Sequence, residues 1–402
     1  MNIEDSSARR DCTSCQMCAA VCPKEAIVIG LDADGFYRPA VDPRKCVDCG
    51  LCVKVCYKFD DAVRMTAEVE LRAMPLYAAS AKDDALVAAT TSGGVADLLA
   101  KELIAEGYRC VGVGYDDAGA RASHYVADTA AATDGFRGSK YIQSYSFPAF
   151  REVVRRCRGE RFAVFGTPCQ IYAVSRFLEH RGLRERCLLV DLYCHGCPSL
   201  HVWRKYQAEV KAAIRKPRFD RVDFRSKVKG WGSFYVVVVV DGVRAFVSSP
   251  QRDGFYTLFF SDQVLNGACA DCRLRSTMAY TDIRLGDFWG KRYALNARGV
   301  SAVTLATARG RALFERIVPR LTYRAEAYGD FLPYQSYGRD YRPRPELRRA
   351  LLDSLGRVDA PLSEAVRLFY RSQGIKGRLK RYAKRALYYM PPGVTKFIKR
   401  FV

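Results

Sequence analysis

Cys12-Thr13-Ser14-Cys15-Gln16-Met17-Cys18-Ala19-Ala20-Val21-Cys22-Pro23 is answered further along by Cys46-Val47-Asp48-Cys49-Gly50-Leu51-Cys52-Val53-Lys54-Val55-Cys56-Tyr57. Both stretches space their cysteines as Cys-x2-Cys-x2-Cys-x3-Cys. Three closely spaced thiolates wrap one face of a cubane, and the fourth, a turn further on, points to a second one. Crossing the two runs assigns Cys12, Cys15, Cys18 and Cys56 to one centre. Cys46, Cys49, Cys52 and Cys22 are assigned to the other. Thiols kept for metal, instead of disulfides, imply a reducing compartment.

This spacing is the bacterial ferredoxin run. Residues 8 to 60 resemble dicluster ferredoxins throughout, so two 4Fe–4S clusters are expected. Tyr57 stands where proline is expected after Cys56. That loosens the turn but removes no ligand. The competing reading is an eight-cysteine zinc module, although zinc sites rarely use this doubled run. Two clusters on one small domain make a wire with no substrate site. The redox endpoint should therefore lie elsewhere in the chain or on a partner.

The chain has 402 residues, which favours two or three domains. Apolar residues make up 49% and charged residues 27%, ordinary for a globular protein with a sizeable core. No stretch approaches the roughly 18 apolar residues needed to span a bilayer, and the polar N-terminus does not read as a secretory signal. The expected location is cytoplasmic. The net charge of +22 fits nucleic acid, anionic lipid or an acidic partner. No nucleic-acid motif accompanies it, so no nucleic-acid partner is expected.

Behind the cysteine module the pattern is strand–turn–helix. Val95 to Glu106 has helical spacing and is closed by Gly107. Arg109 to Gly114 follows as a strand. Phe162–Phe165 leads through Gly166-Thr167-Pro168-Cys169 into a helix that ends near His180. Cys187 to Tyr193 leads through Cys194-His195-Gly196-Cys197-Pro198 into a helix from Ser199. Such alternation favours parallel strands covered by helices. Residues 233 to 248 read as a hairpin turning at Asp241-Gly242. The expected architecture is thus an α+β ferredoxin-like dicluster module over 1–60 and a linker over 61–76. An α/β domain with a mixed sheet and an antiparallel insertion follows over 77–323. A basic extension over 324–402 is irregular at first and helical toward its end.

Thr91-Ser92-Gly93-Gly94 opens a helix, where free N–H groups and absent side chains suit a phosphate. A plain helix cap explains it equally well. Gly138-Ser139-Lys140-Tyr141 adds a cation and a ring to a second glycine turn, and reads otherwise as a surface loop. These two motifs precede Gly166-Thr167-Pro168-Cys169-Gln170, Cys194-His195-Gly196, Cys269-x2-Cys272 and Asp282-Ile283-Arg284-Leu285-Gly286-Asp287-Phe288-Trp289-Gly290 in the chain. In that order, from about Leu76 to Arg320, they resemble the beta-subunit family of coenzyme F-420 hydrogenases and dehydrogenases. Phe224-Arg225-Ser226-Lys227 and Gly230-Trp231 fit the family as well.

The resemblance implies FAD and a third 4Fe–4S cluster. The family's cluster ligands fall here on Cys169, Cys194, Cys269 and Cys272. Flavin contacts fall on Thr91, Ser92, Gly93, Gly94, Gly138, Ser139, Lys140 and Tyr141. Lys140 would bind phosphate or set the charge near the flavin ring. His195 would relay a proton or simply orient its turn. Cys197 departs from the family pattern and leaves open a four-cysteine zinc site made with Cys194, Cys269 and Cys272. Cys110, Cys157 and Cys187 read as buried small hydrophobes. Asp282 and Asp287 read as hairpin or cap residues, and Trp289 as core.

The family resemblance implies an iron–sulfur flavin oxidoreductase exchanging electrons between a coenzyme F-420-like hydride carrier, or an organic substrate, and a one-electron redox partner protein. Two alternatives stand beside it: a non-catalytic subunit linking two redox proteins, and a reductase of a specialised substrate, for instance in surface-polysaccharide biosynthesis. No Asp or Glu follows Glu364, and nine Lys or Arg lie between Lys376 and Arg400. With Phe397, Ile398 and Phe401 at the end, this tail suits peripheral contact with the inner face of a membrane. A solvated helix packed on the core is the plainer reading.

Overall fold

The computed structural model describes residues 1–249 and 253–375, together with Gly377 and Leu379. In the cysteine module two short helices, Met17–Val21 and Leu51–Lys54, follow the cysteine-bearing loops. Between them lies an antiparallel hairpin of β1 (Ile27–Leu31) and β2 (Tyr37–Val41). Gln16 and Gly50, the residues before the two helices, are both left-handed, at φ 64° and 73°. That sharp entry turns each loop back on itself.

The next strands are β3 (Leu76–Ala81), β4 (Arg109–Asp116), β5 (Arg121–Ala127), β6 (Ser144–Tyr145), β7 (Phe162–Phe165) and β8 (Cys187–Leu192). After them come β9 (Arg221–Ser226), β10 (Tyr235–Val240), β11 (Val243–Val247), β12 (Ile283–Asp287), β13 (Ser301–Leu305) and β14 (Leu321–Ala325). Nine of them form one mixed sheet in the order β14-β3-β13-β12-β8-β7-β4-β5-β6. Its centre, β12-β8-β7-β4, is parallel, and β13 and β5 flank it antiparallel. The mixed α/β sheet expected from the alternating pattern is present.

The central strands are buried on both faces, and their neighbouring residues serve different cores because side chains alternate across a strand. Cys110, Ala163, Leu188 and Val190 face the helices Val95–Ala105 and Ala308–Ile317. Val111, Val164 and Leu189 face Phe150, Tyr172 and Val174 on the helices Phe147–Arg156 and Pro168–His180. Met17, Val21, Val55 and Tyr57 of the cysteine module belong to that second core. The module therefore shares its hydrophobic interior with the sheet domain. Cys110, Cys157 and Cys187 are fully buried in these cores, as small hydrophobes are.

The antiparallel insertion forms its own three-stranded sheet, β11-β10-β9, and does not extend the large one. Asp241 and Gly242 both have positive φ, 52° and 74°, which gives the hairpin the turn its twist requires. Trp203 of the helix Leu200–Ile214 packs beneath this sheet with Phe224 and Phe255. Leu351, Leu352 and Leu355 of Pro345–Gly356, and Leu362 of Leu362–Arg371, close the same core. The stretch 61–76 contains the helix Glu68–Arg72 and buries Leu71. The expected basic helical tail and its membrane contact fall largely on residues 376, 378 and 380–402, outside the described residues.

Gln143 ties the module to the sheet domain. Its Nε2 donates to the carbonyls of Gly35 (2.8 Å) and Pro198 (3.0 Å), and its Oε1 accepts from the Tyr37 N–H (3.3 Å). Gln143→Ala leaves these buried groups unpaired, a cost of about 2–3 kcal/mol. A lower urea midpoint with unchanged iron content is the expected outcome.

Candidate functional site

The module folds its eight cysteines into two separate sets. Cys12, Cys15, Cys18 and Cys56 line one pocket, with Ile3, Ile29, Tyr37 and Val55 in its wall. Cys22, Cys46, Cys49 and Cys52 line a second, beside Pro23, Ile27 and Leu51. These are the two crossed quartets that the spacing assigns. Among the described residues, no three His, Cys, Asp or Glu side chains converge closely enough for a single metal ion. Burial pushes the Cys15 thiol up to about 11 and Cys56 higher still. Such thiols stay protonated until a metal takes them as thiolates, and metal binding must release those protons.

The two sets differ in exposure. Cys49 is exposed at the surface, whereas the first set lies against the sheet domain. Gln16, only 2% exposed, makes that junction. Its Oε1 accepts from the N–H groups of Ser146 (2.8 Å) and Phe147 (2.9 Å), and its Nε2 donates to the Ser144 carbonyl (3.1 Å). Tyr57, which replaces the expected proline, is buried and accepts a hydrogen bond from the Arg273 N–H at 3.1 Å. It fastens the turn to the other domain, so the looser turn expected there is absent.

The turns after β7 and β8 leave the sheet at the carboxyl ends of parallel strands, where sites of α/β proteins gather. Cys169 opens the helix Pro168–His180, and the Thr167 hydroxyl lies 3.2 Å from its sulfur. Cys194 and Cys197 follow β8, and Cys269 and Cys272 sit on two adjoining 3-10 turns. Burial raises Cys197 most, and Cys194, Cys269, Cys169 and Cys272 add to it. Cys194 is pushed up to about 12 by burial and then by Cys269. Cys169 is raised by burial and next by Cys15 of the module, and both residues pack against the core that module and sheet share.

His195 is held on both sides. Its Nε2 lies 2.8 Å from Asp262 Oδ1, and its Nδ1 lies 2.9 Å from the Tyr341 hydroxyl. Phe259 covers the ring at 5.1 Å. A ring with both nitrogens engaged by side chains orients its turn. Asp282 is a buried structural carboxylate that accepts from the Leu189 N–H (2.8 Å) and from Arg184 (3.0 Å). Asp287 accepts from Trp231 Nε1 at 3.0 Å and pairs with Arg225. Trp289 stacks on Trp231 at 4.7 Å.

The two glycine turns come together. The Ser139 N–H donates to Thr91 Oγ1 at 2.8 Å. Gly94 precedes the eleven-residue helix Val95–Ala105 with no side chain capping its first N–H groups. The Ser92 hydroxyl is buried without a partner. An uncapped helix start beside an orphaned hydroxyl fits a phosphate. Lys140 is otherwise engaged: its Nζ donates to the carbonyls of Gly135 (3.0 Å), Phe136 (3.2 Å) and Arg137 (2.9 Å). Burial pulls its ammonium down to about 7, and only the charge of Asp223 opposes that. Tyr141 meets Phe234, Tyr256 and Phe259 edge-on and accepts from Arg225 at 3.2 Å. Lys227, the last residue of the Phe224-Arg225-Ser226-Lys227 motif, donates to the carbonyls of Val87 (2.6 Å) and Ser92 (2.7 Å). Asp262, Tyr341 and Arg275 carry no signal in the sequence, since only folding brings them to the cysteine turns.

Residues 11–58 match the model of the 4Fe-4S dicluster domain. Residues 159–330 match the model of the C-terminal part of the coenzyme F420 hydrogenase/dehydrogenase beta subunit. No curated protein matches the chain. A solved structure of the F420-reducing [NiFe] hydrogenase complex from Methanosarcina barkeri is similar at 18% identity and a TM-score of 0.46, over 79% of this chain and 96% of that one. No helix among the described residues is long and apolar enough to cross a membrane.

Gly93 and Gly138 separate packing from backbone freedom. A Cβ on Gly93 would stand 2.2 Å from the Ala79 carbonyl oxygen and 2.9 Å from the Ser301 nitrogen. One on Gly138 meets nothing nearer than 4.0 Å, although its φ is +80°. Gly93→Ala should destabilise by about 3 kcal/mol and Gly138→Ala by about 1 kcal/mol, read from chemical denaturation. Equal losses would contradict the close packing of Gly93 on the sheet.

With two clusters' worth of cysteines in front and, over residues 159–330, a segment that matches the C-terminal part of the beta subunit, the chain is an iron–sulfur electron-transfer protein related to the coenzyme F420 hydrogenase/dehydrogenase beta subunit and headed by a 4Fe–4S dicluster domain.

Proposed function

We propose that this chain is an iron–sulfur flavin oxidoreductase that connects a two-electron carrier to a one-electron partner protein. The observation that carries the proposal is the alignment of three thiol sets. Cys22, Cys46, Cys49 and Cys52 stand at the surface end, and Cys12, Cys15, Cys18 and Cys56 lie inside. Cys169, Cys194, Cys269 and Cys272 follow at the sheet edge, and Cys169 and Cys272 pack on the same core as Cys15. Each set supplies the four soft ligands that a cubane takes. The boundaries near residues 60, 76 and 323 divide the chain accordingly into module, connection, sheet domain and extension.

FAD, when bound, supplies the junction between hydride chemistry and single electrons. The residues that would hold it are the Thr91–Gly94 turn and the Gly138–Tyr141 loop. The start of the helix Val95–Ala105 and the Ser92 hydroxyl would take a phosphate. Lys140 keeps the second loop closed by capping three carbonyls. His195 holds the Cys194 turn between Asp262 and Tyr341. The engagement of Lys140 and His195 also supports a second reading, a subunit that relays electrons between two proteins and binds no hydride donor.

Anaerobic purification with iron, zinc and flavin quantification tests the proposal. About twelve irons and one FAD per chain support it, as expected of three cubanes and a flavin. About eight irons without flavin, even after reconstitution, leave the relay reading. Cys49→Ala and Cys269→Ala should each lose about four irons, and the double variant the sum. Unchanged iron in Cys49→Ala would reject the assignment of the surface set.

A further inference from the structure

Arg275 is a buried cation with no carboxylate. It is 3% exposed. Its Nη2 donates to the carbonyls of Cys269 (2.6 Å) and His195 (3.2 Å), and its Nη1 donates to the Arg339 carbonyl. The Tyr341 ring covers its guanidinium at 4.4 Å. Among the described residues, which include every Asp and Glu of the chain, none forms an ion pair with it. Its neighbour Arg284 is the contrast. Arg284 is equally buried, but Asp191 meets its charge with Nε–Oδ1 and Nη2–Oδ2 contacts of 2.8 and 2.5 Å. Arg284 Nη1 also donates to the Arg275 carbonyl at 2.9 Å, fixing the turn that carries Arg275.

A buried charge without an opposite charge is strongly unfavourable. Carbonyl dipoles reduce that cost without removing it. The groups that Arg275 bonds belong to the cysteine-bearing turns: the carbonyl of Cys269 itself and that of His195, the residue after Cys194. An oxidised cubane with four thiolates has a net charge of about −2, and nearby charge is one of the levers on a cluster's potential.

We propose that Arg275 is the counter-cation of an anionic iron–sulfur centre held by the Cys194 and Cys269–Cys272 turns, and that it raises the reduction potential of that centre. It is a positioning residue that clamps the two turns while neutralising what they bind. The inference rests on the proposed third cluster.

The test compares Arg275→Gln and Arg275→Lys with the full-length wild-type protein by iron content and by potentiometric titration followed by electron paramagnetic resonance. Arg275→Gln is expected to retain about twelve irons with one of three centres moved to more negative potential, or to lose only about four. Arg275→Lys keeps the charge and should retain all centres near their wild-type potentials. Arg275→Gln with full iron and three unmoved potentials overturns the proposal. Equal loss of iron from both variants overturns it too, because lysine preserves the charge. Wild-type protein with only about eight irons removes the third cluster itself, and that failure is read before any variant is made.

Discussion

The Gln16 amide, buried between Ser144, Ser146 and Phe147, fixes where the inner cysteine set stands relative to everything else. A wire works only if its stations are held close, and a free-swinging module would not hold them. The single core running from Met17 and Val21 to Phe150 and Tyr172 provides the adhesion. The directional bonds of Gln16 and Gln143 supply the register. Tyr57 adds a third tie at the Arg273 N–H, one residue from Cys272. Its phenol thus joins the turn behind Cys56 to the turn behind the sheet-edge cysteines. Replacing the usual proline exchanges a stiff local turn for a long-range anchor.

The sheet explains why the remaining cysteines converge. β7 and β8 are parallel neighbours, so the turns that leave them emerge side by side. Cys169 and Cys194 come together by topology, although far apart in sequence. Cys269 and Cys272 come from a segment that runs back to β12, the parallel neighbour of β8 on its other side. The buried Asp191–Arg284 pair then locks that return, since Arg284 also holds the carbonyls of Arg275 and Thr277. A buried ion pair of this kind gains little stability over apolar residues. Here it holds the segment that follows Cys269 and Cys272 against the sheet edge.

How much of this was legible in the sequence follows from the range of each interaction. The crossed quartets were legible because cluster ligation is written in spacings of two and three residues, and the cavities contain the assigned cysteines. The helix ending at Gly107 and the Asp241-Gly242 hairpin were legible because left-handed backbone favours glycine and its polar substitutes. The partners of Gln16, Arg275 and His195 were not, because none lies near it in the chain and no periodicity encodes them. Lys140 shows how local context can mislead. Gly-Ser-Lys-Tyr reads as a phosphate loop, but the 3-10 helix Ala132–Phe136 ends just before it with carbonyls in need of a donor. The nearest ammonium answers them.

Net charge spread over a surface says little about function, but the way particular cations are held says more. Many arginines among the described residues are matched by carboxylates at the surface, as with Arg64 and Glu70 or Arg349 and Asp34. Lys140, Lys227 and Arg275 are held by backbone carbonyls, and no carboxylate pairs with any of them among the described residues. All three stand beside the glycine turns or the sheet-edge cysteines. Carbonyls fix a cation in place without setting the opposite charge of a carboxylate against it. The uncapped helix start at Gly94 offers its N–H groups as well. Phosphates and cysteine-ligated clusters are both anions, and an edge built this way favours either without having to deform.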